Sequence, residues 1–551
     1  MQEILILFAQ TFGLMMLLKV LPGPLQRLKF AWRHVAHQRA VCIVMAGAIP
    51  VLLHVALYPP PEPAIHDEFA YLLQADTFAH GRWANPPRPL WEHFEQFHVL
   101  SQPVFAAKYQ PLPAALLAVG QVAGSPYYGL LISAALTFSA AMWMLYGWLP
   151  PSYALLGWVI ALTRWGPTTY WMNSFWGGLV PALGGILVVG AWPRLREAAT
   201  RRDAMLFGLG TVVLASSRPY EGLVLSAAAC VTLLMVNRRG WRWILWAAPV
   251  VATGAAVLLY YDFKVTGNPW LPPYVLHDEQ YTAVSNFFFI RPKTPPPVYQ
   301  HAEIQALYVD RYMEYFRDYW RDPWQAQESK LGYLWRFYCA GWPLSLALAC
   351  APFAWGSKRI RWALILLALF MLGLAPLTGL FPHYAAPAAG LLIVVQMGGL
   401  HALRYWNPQG RPTGSLLARV AMLAVIMYFA RDLIERPRQY PSGEAQFKSL
   451  RAGWIAQLKA EPGQHMVLVR YTSSHDPNTE YVANGADFDE ERILWARSMG
   501  AEADRKLIEY FHDRQIWLLE GDAPTARLVC IAHCGNYVIE GAGGTAQSVS
   551  N

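Results

Sequence analysis

Long apolar runs separated by short polar loops dominate this chain. They lie near residues 4–21, 41–58, 126–148, 151–165, 176–192, 204–217, 219–236, 243–261, 337–355, 361–379, 384–403 and 415–432. A bilayer core about 30 Å thick takes roughly 20 apolar residues in a helix. Runs shorter than that borrow flanking residues or belong to broken helices, which predicts about 11 to 13 spans. The opening run, "ILILFAQTFGLMMLLKV", lacks a basic leader and a small-residue cleavage site. It therefore reads as a spanning or interfacial helix rather than a cleavable signal.

After residue 432 the pattern changes. "GQHMVLVRYT" and "QIWLLEGD" read as buried strands, and "AEADRKLIEYFHDR" as an amphipathic helix with Leu507, Ile508, Tyr510 and Phe511 on its apolar face. The expected fold class is a polytopic α-helical membrane protein with a small C-terminal extracytoplasmic α/β domain. Its expected parts are an apolar helix and basic cytoplasmic segment over 1–40, a transmembrane domain over 41–432 and a soluble domain over 433–551.

Composition supports the membrane class: of 551 residues, 55% are hydrophobic and only 15% charged, with 24 tryptophans. The net charge of +8 does not point to nucleic acid, because the basic residues cluster in short loops between apolar runs. Arg27, Lys29, Arg33 and Arg39 form one cluster; Arg194, Arg196, Arg201 and Arg202 another; Arg238, Arg239 and Arg242 a third. Lys358, Arg359 and Arg361, then Arg404 and Arg411, complete the set. If all face the cytoplasm, the intervening spans alternate without conflict. The loops 59–111 and 262–336 then lie on the other face, with the turns "TRWGPTTYWMNSFWGG", "SSRPYEG" and "LFPHYAAP" and the C-terminal region. Six cysteines in this length make no disulfide framework, but Cys530 and Cys534 in "CIAHC" either pair in an oxidising compartment or stay as small buried thiols. The C-terminal region has neither a G-x-G-x-x-G motif nor a P-loop, so it offers no nucleotide signature.

The candidate chemistry gathers on that second face. "HDEFAYLLQADTFAHGRW", His66 to Trp83, follows a proline-rich exit from the second apolar run. Asp67 and Glu68 open a stretch that runs without Pro or Gly to Gly81, a helix stop. Asp67 is expected to cap this interfacial helix, with Glu68 in its first turn, and Leu72, Leu73, Ala75, Phe78 and Ala79 facing lipid or core. Capping and proton transfer are compatible, because a carboxylate at a groove open to lipid and water can take a proton from a hydroxyl. Cations on the same face are Lys108 in "FAAKYQPLP", Arg164 in "TRWGP" and Arg218 in "SSRPYEG". Arg218 and Glu221 sit between apolar runs, where charge is expensive, and are either a structural pair or functional. His383 and Tyr384 in "FPHYAAP" lie at the same depth. Asn173, Ser174 and Trp176 in "NSFWGG" are a weaker signal, since aromatic membrane borders are common. Trp83, Trp91, His93 and His98 could line the same opening, but His93 and His98 form no zinc motif, because their five-residue spacing lacks a matching pair of ligands nearby.

Assembled, these features resemble the GT-C superfamily of integral membrane glycosyltransferases, in the branch of the protein O-mannosyltransferases and the lipid A aminoarabinose transferases. The likeness rests on a basic segment, an early span and an external loop opening with Asp67, Glu68, Tyr71, Gly81 and Trp83 in the family's order. The resemblance implies transfer of a sugar from a polyprenyl-phosphate donor to an acceptor hydroxyl on a glycan, lipid or protein, in the bacterial inner membrane. It implies inversion at the anomeric carbon, with Asp67 as general base and Glu68 beside it. Lys108, Arg164, Arg218, His383 and Tyr384 would hold the donor phosphate. Tyr71, Tyr109, Asn173, Trp176 and Glu221 would line the substrate. No cofactor is expected; the alternative is a divalent metal held by Asp67 and Glu68. The competing classes are a transporter or lipid flippase, which would need ionisable residues at mid-membrane or a symmetric repeat, and a catalytically silent scaffold.

Overall fold

A computed structural model describes residues 31–236, 238–339, 341–435, 442–472, 475–523, 527–534, 537–540 and 547–548. The first apolar run and most of the 1–40 segment lie outside these residues.

Seven described helices are long and apolar enough to cross a membrane: Arg39–Leu57, Pro126–Trp148, Leu179–Glu197, Pro219–Val236, Trp241–Thr266, Ala386–Leu403 and Thr413–Glu435. The bent pair Pro323–Tyr338 and Trp342–Ala354 makes an eighth if it is one span. Shorter apolar helices at Pro151–Trp165, Arg201–Ala215 and Lys358–Leu374 account for other runs in the pattern. The protein is an integral membrane protein.

Leu179–Glu197 and Ala386–Leu403 are the most buried spans and form the centre of the bundle, whereas Trp241–Thr266 lies at its periphery. The centre closes tightly because Gly185 has no side chain. A Cβ there would sit 1.8 Å from the Pro387 carbonyl oxygen. At one end of the bundle the basic loops meet: the Arg359 guanidinium lies 2.9 Å from Glu197, and Arg201 covers the Trp246 ring at 4.3 Å. These contacts put the 194–202 and 358–361 clusters side by side, as an alternating topology requires.

At the other end, the helix His66–Ala79 is a wedge between two bodies. Tyr71 and Ala75 enter the core of the helical bundle, and Ala70 and Leu73 enter the core of the C-terminal domain. Gly81, at φ +72°, ends it as its sequence position suggested. The N-cap, however, is Ile65 rather than Asp67. The helix begins one residue before the acidic pair because Glu68 reaches back to accept from the Ala64 and Ile65 amides, at 2.9 and 3.4 Å.

In the external loop β1 (Val99–Leu100) pairs antiparallel with β2 (Ala106–Ala107), apart from the six-stranded C-terminal sheet. The domain itself contains β3 (His465–Arg470), β4 (Ile493–Arg497), β5 (Gln515–Glu520), β6 (Arg527–Ala532), β7 (Tyr537–Glu540) and β8 (Gln547–Ser548), in the order β4-β3-β5-β6-β7-β8. β3 is parallel to β4 and β5; the remaining pairs are antiparallel. The two expected strands are β3 and β5, and the expected helix is Ala501–Tyr510. Its apolar face consists of Leu507, Ile508 and Phe511, but Tyr510 points outward and is exposed. Cys530 and Cys534 are joined by a disulfide, with Cα atoms 6.3 Å apart.

Candidate active site

Asp67 occupies the first turn of the wedge helix and keeps 22% of its side chain exposed, whereas Glu68 is fully buried. That difference separates their roles. Asp67 accepts a hydrogen bond from the Tyr109 hydroxyl on Oδ1. His66 Nδ1 lies 3.1 Å from its Oδ2, and His98 Nε2 lies 3.9 Å from Oδ1. Glu68 turns the other way: its Oε1 accepts from the Phe175 amide at 2.9 Å, which pins the "NSFWGG" turn to the helix. Both Glu68 oxygens are thus engaged with backbone amides, and a metal pair built from Asp67 and Glu68 does not fit this geometry.

The His98 ring is delivered by an unusual backbone. Its φ is +63°, uncommon outside glycine, and the following β1–β2 hairpin fixes it through the Lys108 amide, which donates to the His98 carbonyl at 2.9 Å. Tyr308 is the hub behind it. Its hydroxyl accepts from the His98 amide at 2.8 Å, and lies 3.1 Å from His98 Nδ1 and 3.3 Å from His277 Nε2. The Lys108 ammonium lies 5.8 Å from the Tyr109 ring centre and 5.9 Å from that of Tyr308.

Stacked rings link this cluster to the turns between spans. Tyr71 stacks on Tyr109 with ring centres 4.4 Å apart. Arg218 lies 4.4 Å over the Tyr384 ring and 4.0 Å from Glu221. His383 meets Trp176 at 4.6 Å and takes a 3.2 Å hydrogen bond with the Tyr170 hydroxyl.

The charges act on one another. Burial alone would raise the Asp67 carboxyl, but His98, His66 and the Tyr109 hydroxyl outweigh it and hold the group well below the usual carboxylate range. Burial, reinforced by the Lys108 ammonium, pushes the His98 imidazole well below its ordinary value. Burial likewise lowers Lys108, opposed by Asp278 and Asp67. Burial and Arg218 lower His383. Burial works against the Arg218 charge, yet Glu221 and the surrounding tyrosines raise it further. The result is an ionised carboxylate between two histidines, with a fixed cation across a wall of tyrosines.

The structure thus brings Asp67, Tyr71, Lys108, Tyr109, Arg218, Glu221, His383, Tyr384 and Trp176 to one end of the bundle. Arg164, in the last turn of Pro151–Trp165, is instead engaged with backbone: its Nε donates to the Phe337 carbonyl at 2.7 Å. Asn173 is fully engaged in packing, with Oδ1 2.9 Å from His54 Nε2 and Nδ2 donating to the Thr169 carbonyl at 2.7 Å. His93 points to the Arg497 carbonyl, 2.8 Å away. Sequence reasoning missed His66, His277 and Tyr308 as neighbours of Asp67, and gave His98 only a weak lining role.

No family model and no curated protein matches this chain. Among solved structures, ArnT from Cupriavidus metallidurans bound to undecaprenyl phosphate superposes with a TM-score of 0.54 at 12% identity, over 87% of this chain and 92% of that one. The two chains share a fold over most of their length. The apo structure of the same ArnT also aligns, with a TM-score of 0.48 at 13% identity, over 88% of this chain and 93% of the other. Within this fold, the wedge helix opens the first external segment, and the C-terminal domain packs directly on it through Ala70 and Leu73.

Proposed function

We propose that this protein is an inverting membrane glycosyltransferase that uses a polyprenyl-phosphate sugar and acts on an acceptor hydroxyl at the extracytoplasmic face. The observation that carries the reading is Asp67: an ionised, partly exposed carboxylate at a helix start, with Lys108, Arg218 and His383 gathered around the same opening. The GT-C fold supports the reaction class, and the solved relative bound to undecaprenyl phosphate supports the donor class. The disulfide supports an oxidising, extracytoplasmic face for the C-terminal domain.

In this reading the acceptor oxygen attacks the anomeric carbon as its bond to the donor phosphate breaks. The acceptor proton passes to Asp67, and the bonding pair leaves with the polyprenyl phosphate. A single displacement inverts the anomeric centre. Because the hydroxyl becomes acidic only as the new bond forms, an ionised carboxylate of low basicity is sufficient. Arg218 offers a guanidinium suited to bind two phosphate oxygens at once, and Lys108 a second cation, so charge growing on the leaving group meets fixed positive charge in a water-poor site. Tyr71, Tyr109 and Tyr384 form the aromatic wall on which a sugar or isoprenoid would pack.

The test is identification of co-purifying lipids by mass spectrometry, followed by single-turnover transfer. Wild type should carry a polyprenyl phosphate or its glycoside. Asp67→Asn should retain the lipid and the fold and lose transfer by about 10²-fold or more. Wild-type turnover in that variant would remove Asp67 as the base, and absence of any polyprenyl lipid or transfer would remove the donor class.

A further inference from the structure

We propose that His66, Asp67 and His98 form a binding site for one divalent transition-metal ion, of the zinc type, at the mouth of the candidate active site. Two imidazole nitrogens and one carboxylate oxygen converge there, with all three donor atoms within 4.8 Å of one another. Tetrahedral zinc with bonds of about 2.0–2.1 Å separates its ligand atoms by about 3.3 Å. His66 Nδ1 lies 3.1 Å from Asp67 Oδ2, which is that spacing, and His98 Nε2 lies 3.9 Å from the other oxygen, Oδ1, so a rotation of the carboxylate would bring both nitrogens to one oxygen-bound ion.

The groups are poorly satisfied without a cation. His66 Nδ1 is buried and makes no hydrogen bond. The His66 side chain is only 10% exposed and that of His98 only 4%. The His98–Asp67 separation of 3.9 Å is too long for a hydrogen bond. The network behind His98 allows its Nδ1–H to donate to Tyr308, whose hydroxyl then donates to His277 Nε2. In that arrangement His98 Nε2 turns its lone pair toward the carboxylate, and two acceptors face each other across a gap that a cation fills. Tyr308 is then the outer partner that orients a ligating histidine. Two imidazoles with one carboxylate suit zinc, cobalt or iron better than calcium or magnesium, which prefer all-oxygen sets. Three protein ligands leave at least one position for water or for the acceptor hydroxyl. The carboxylate has a second oxygen: ligation through Oδ2 leaves Oδ1 with its hydrogen bond from the Tyr109 hydroxyl.

The functional importance of the site rests on the glycosyl-transfer reading, but its existence does not. The full-length chain, with any affinity tag removed, is stripped with a chelator in detergent and titrated with Co²⁺. One equivalent should bind saturably, with visible d–d absorption that one equivalent of Zn²⁺ abolishes. His66→Ala and His98→Ala should each weaken binding at least tenfold, while His80→Ala, at an exposed histidine just past the end of the same helix, should bind as wild type. Absence of saturable binding, or equal binding in both histidine variants and wild type, overturns the proposal. Should those variants fail to fold, X-ray absorption on Zn²⁺-loaded wild type decides: two imidazole ligands support the site, and none refutes it. Transfer by stripped protein that binds no metal would sink the metal site alone. Metal binding with the expected variant pattern, but without donor lipid or transfer, would sink the transferase reading alone.

Discussion

Arg497 provides the sharpest test of how the C-terminal domain is seated. It ends β4 and is 1% exposed, among the deepest charges in the described residues. Nη1 lies 2.5 Å from Glu303 and Nη2 2.5 Å from Glu480, while Nε donates to the Glu95 carbonyl at 3.0 Å. Glu480 belongs to the C-terminal domain, but Glu303 and Glu95 belong to the external segments of the membrane body. One guanidinium therefore ties three segments. Arg497→Met removes the cation and leaves two carboxylates, 10% and 2% exposed, facing each other. Breaking a buried pair from one side costs about 3–5 kcal/mol. That is a large part of the roughly 5–15 kcal/mol that holds a domain folded. For a domain of about 100 residues the loss corresponds to at least about 12 °C in Tm. Tryptophan fluorescence during thermal unfolding in detergent would read it, with limited proteolysis reporting release of the domain. Adding Glu480→Gln and Glu303→Gln to Arg497→Met should recover most of the loss, because no uncompensated charge remains. An Arg497→Met protein within about 1 kcal/mol of wild type would refute the reasoning, since it would mean that water reaches the carboxylates.

Glu95 gives a pH-dependent test: burial lifts its carboxyl to about 7. Folding then favours the protonated form, so stability is lost as pH rises from 4.5 through about 7. Its neighbour His301, lowered by burial to about 4, acts in the opposite sense on the acid side. Glu95→Gln should gain about 2 kcal/mol relative to wild type between pH 5 and pH 8; parallel stability profiles would exclude the effect. Gly185→Ala forces a methyl onto the Pro387 carbonyl and should destabilise the bundle by at least about 1–3 kcal/mol, visible as a lower Tm in detergent. Glu68→Ala strands the Ala64 and Phe175 amides and should lower stability by about 1–3 kcal/mol for each buried donor left unpaired, with activity falling in parallel. A Glu68→Ala protein of normal Tm but no turnover would instead place Glu68 in the chemistry.

The membrane class and the wedge helix were legible because both are local. Apolar runs of bilayer length and a Pro/Gly-free segment ending at Gly81 carry their own signals. β4 was not read, since "ILWAR" is a short apolar run that periodicity does not resolve. The site was half legible. Asp67, Arg218 and His383 announce themselves as charges or imidazoles at span ends, where burial is costly. His98 does not: it reaches Asp67 only through a left-handed backbone and a short hairpin, separated in sequence from the carboxylate. Arg164 and Asn173 showed the reverse failure. Both are polar residues in apolar surroundings, but their partners are the Phe337 and Thr169 carbonyls, and a packing role reads the same in sequence as a functional one. Asp67 as N-cap failed because the cap was inferred from residue type, while the stronger constraint came from Glu68 reaching back to the chain ahead of it.

The wedge helix has a mechanical consequence. Its N-terminal turn carries Asp67, its middle is buried in both bodies, and near its C-terminal end Asp76 accepts from the Ala486 amide at 2.6 Å. The position of the proposed base is thus set by a rod clamped along its length by the membrane bundle on one side and the soluble domain on the other. A displacement of about 1 Å at a reacting group can cost about a hundredfold in rate. On this geometry the C-terminal domain needs no contact with substrate to govern turnover. It acts as the second jaw of a vice, and loosening that jaw would misalign the carboxylate while leaving every residue of the site in place.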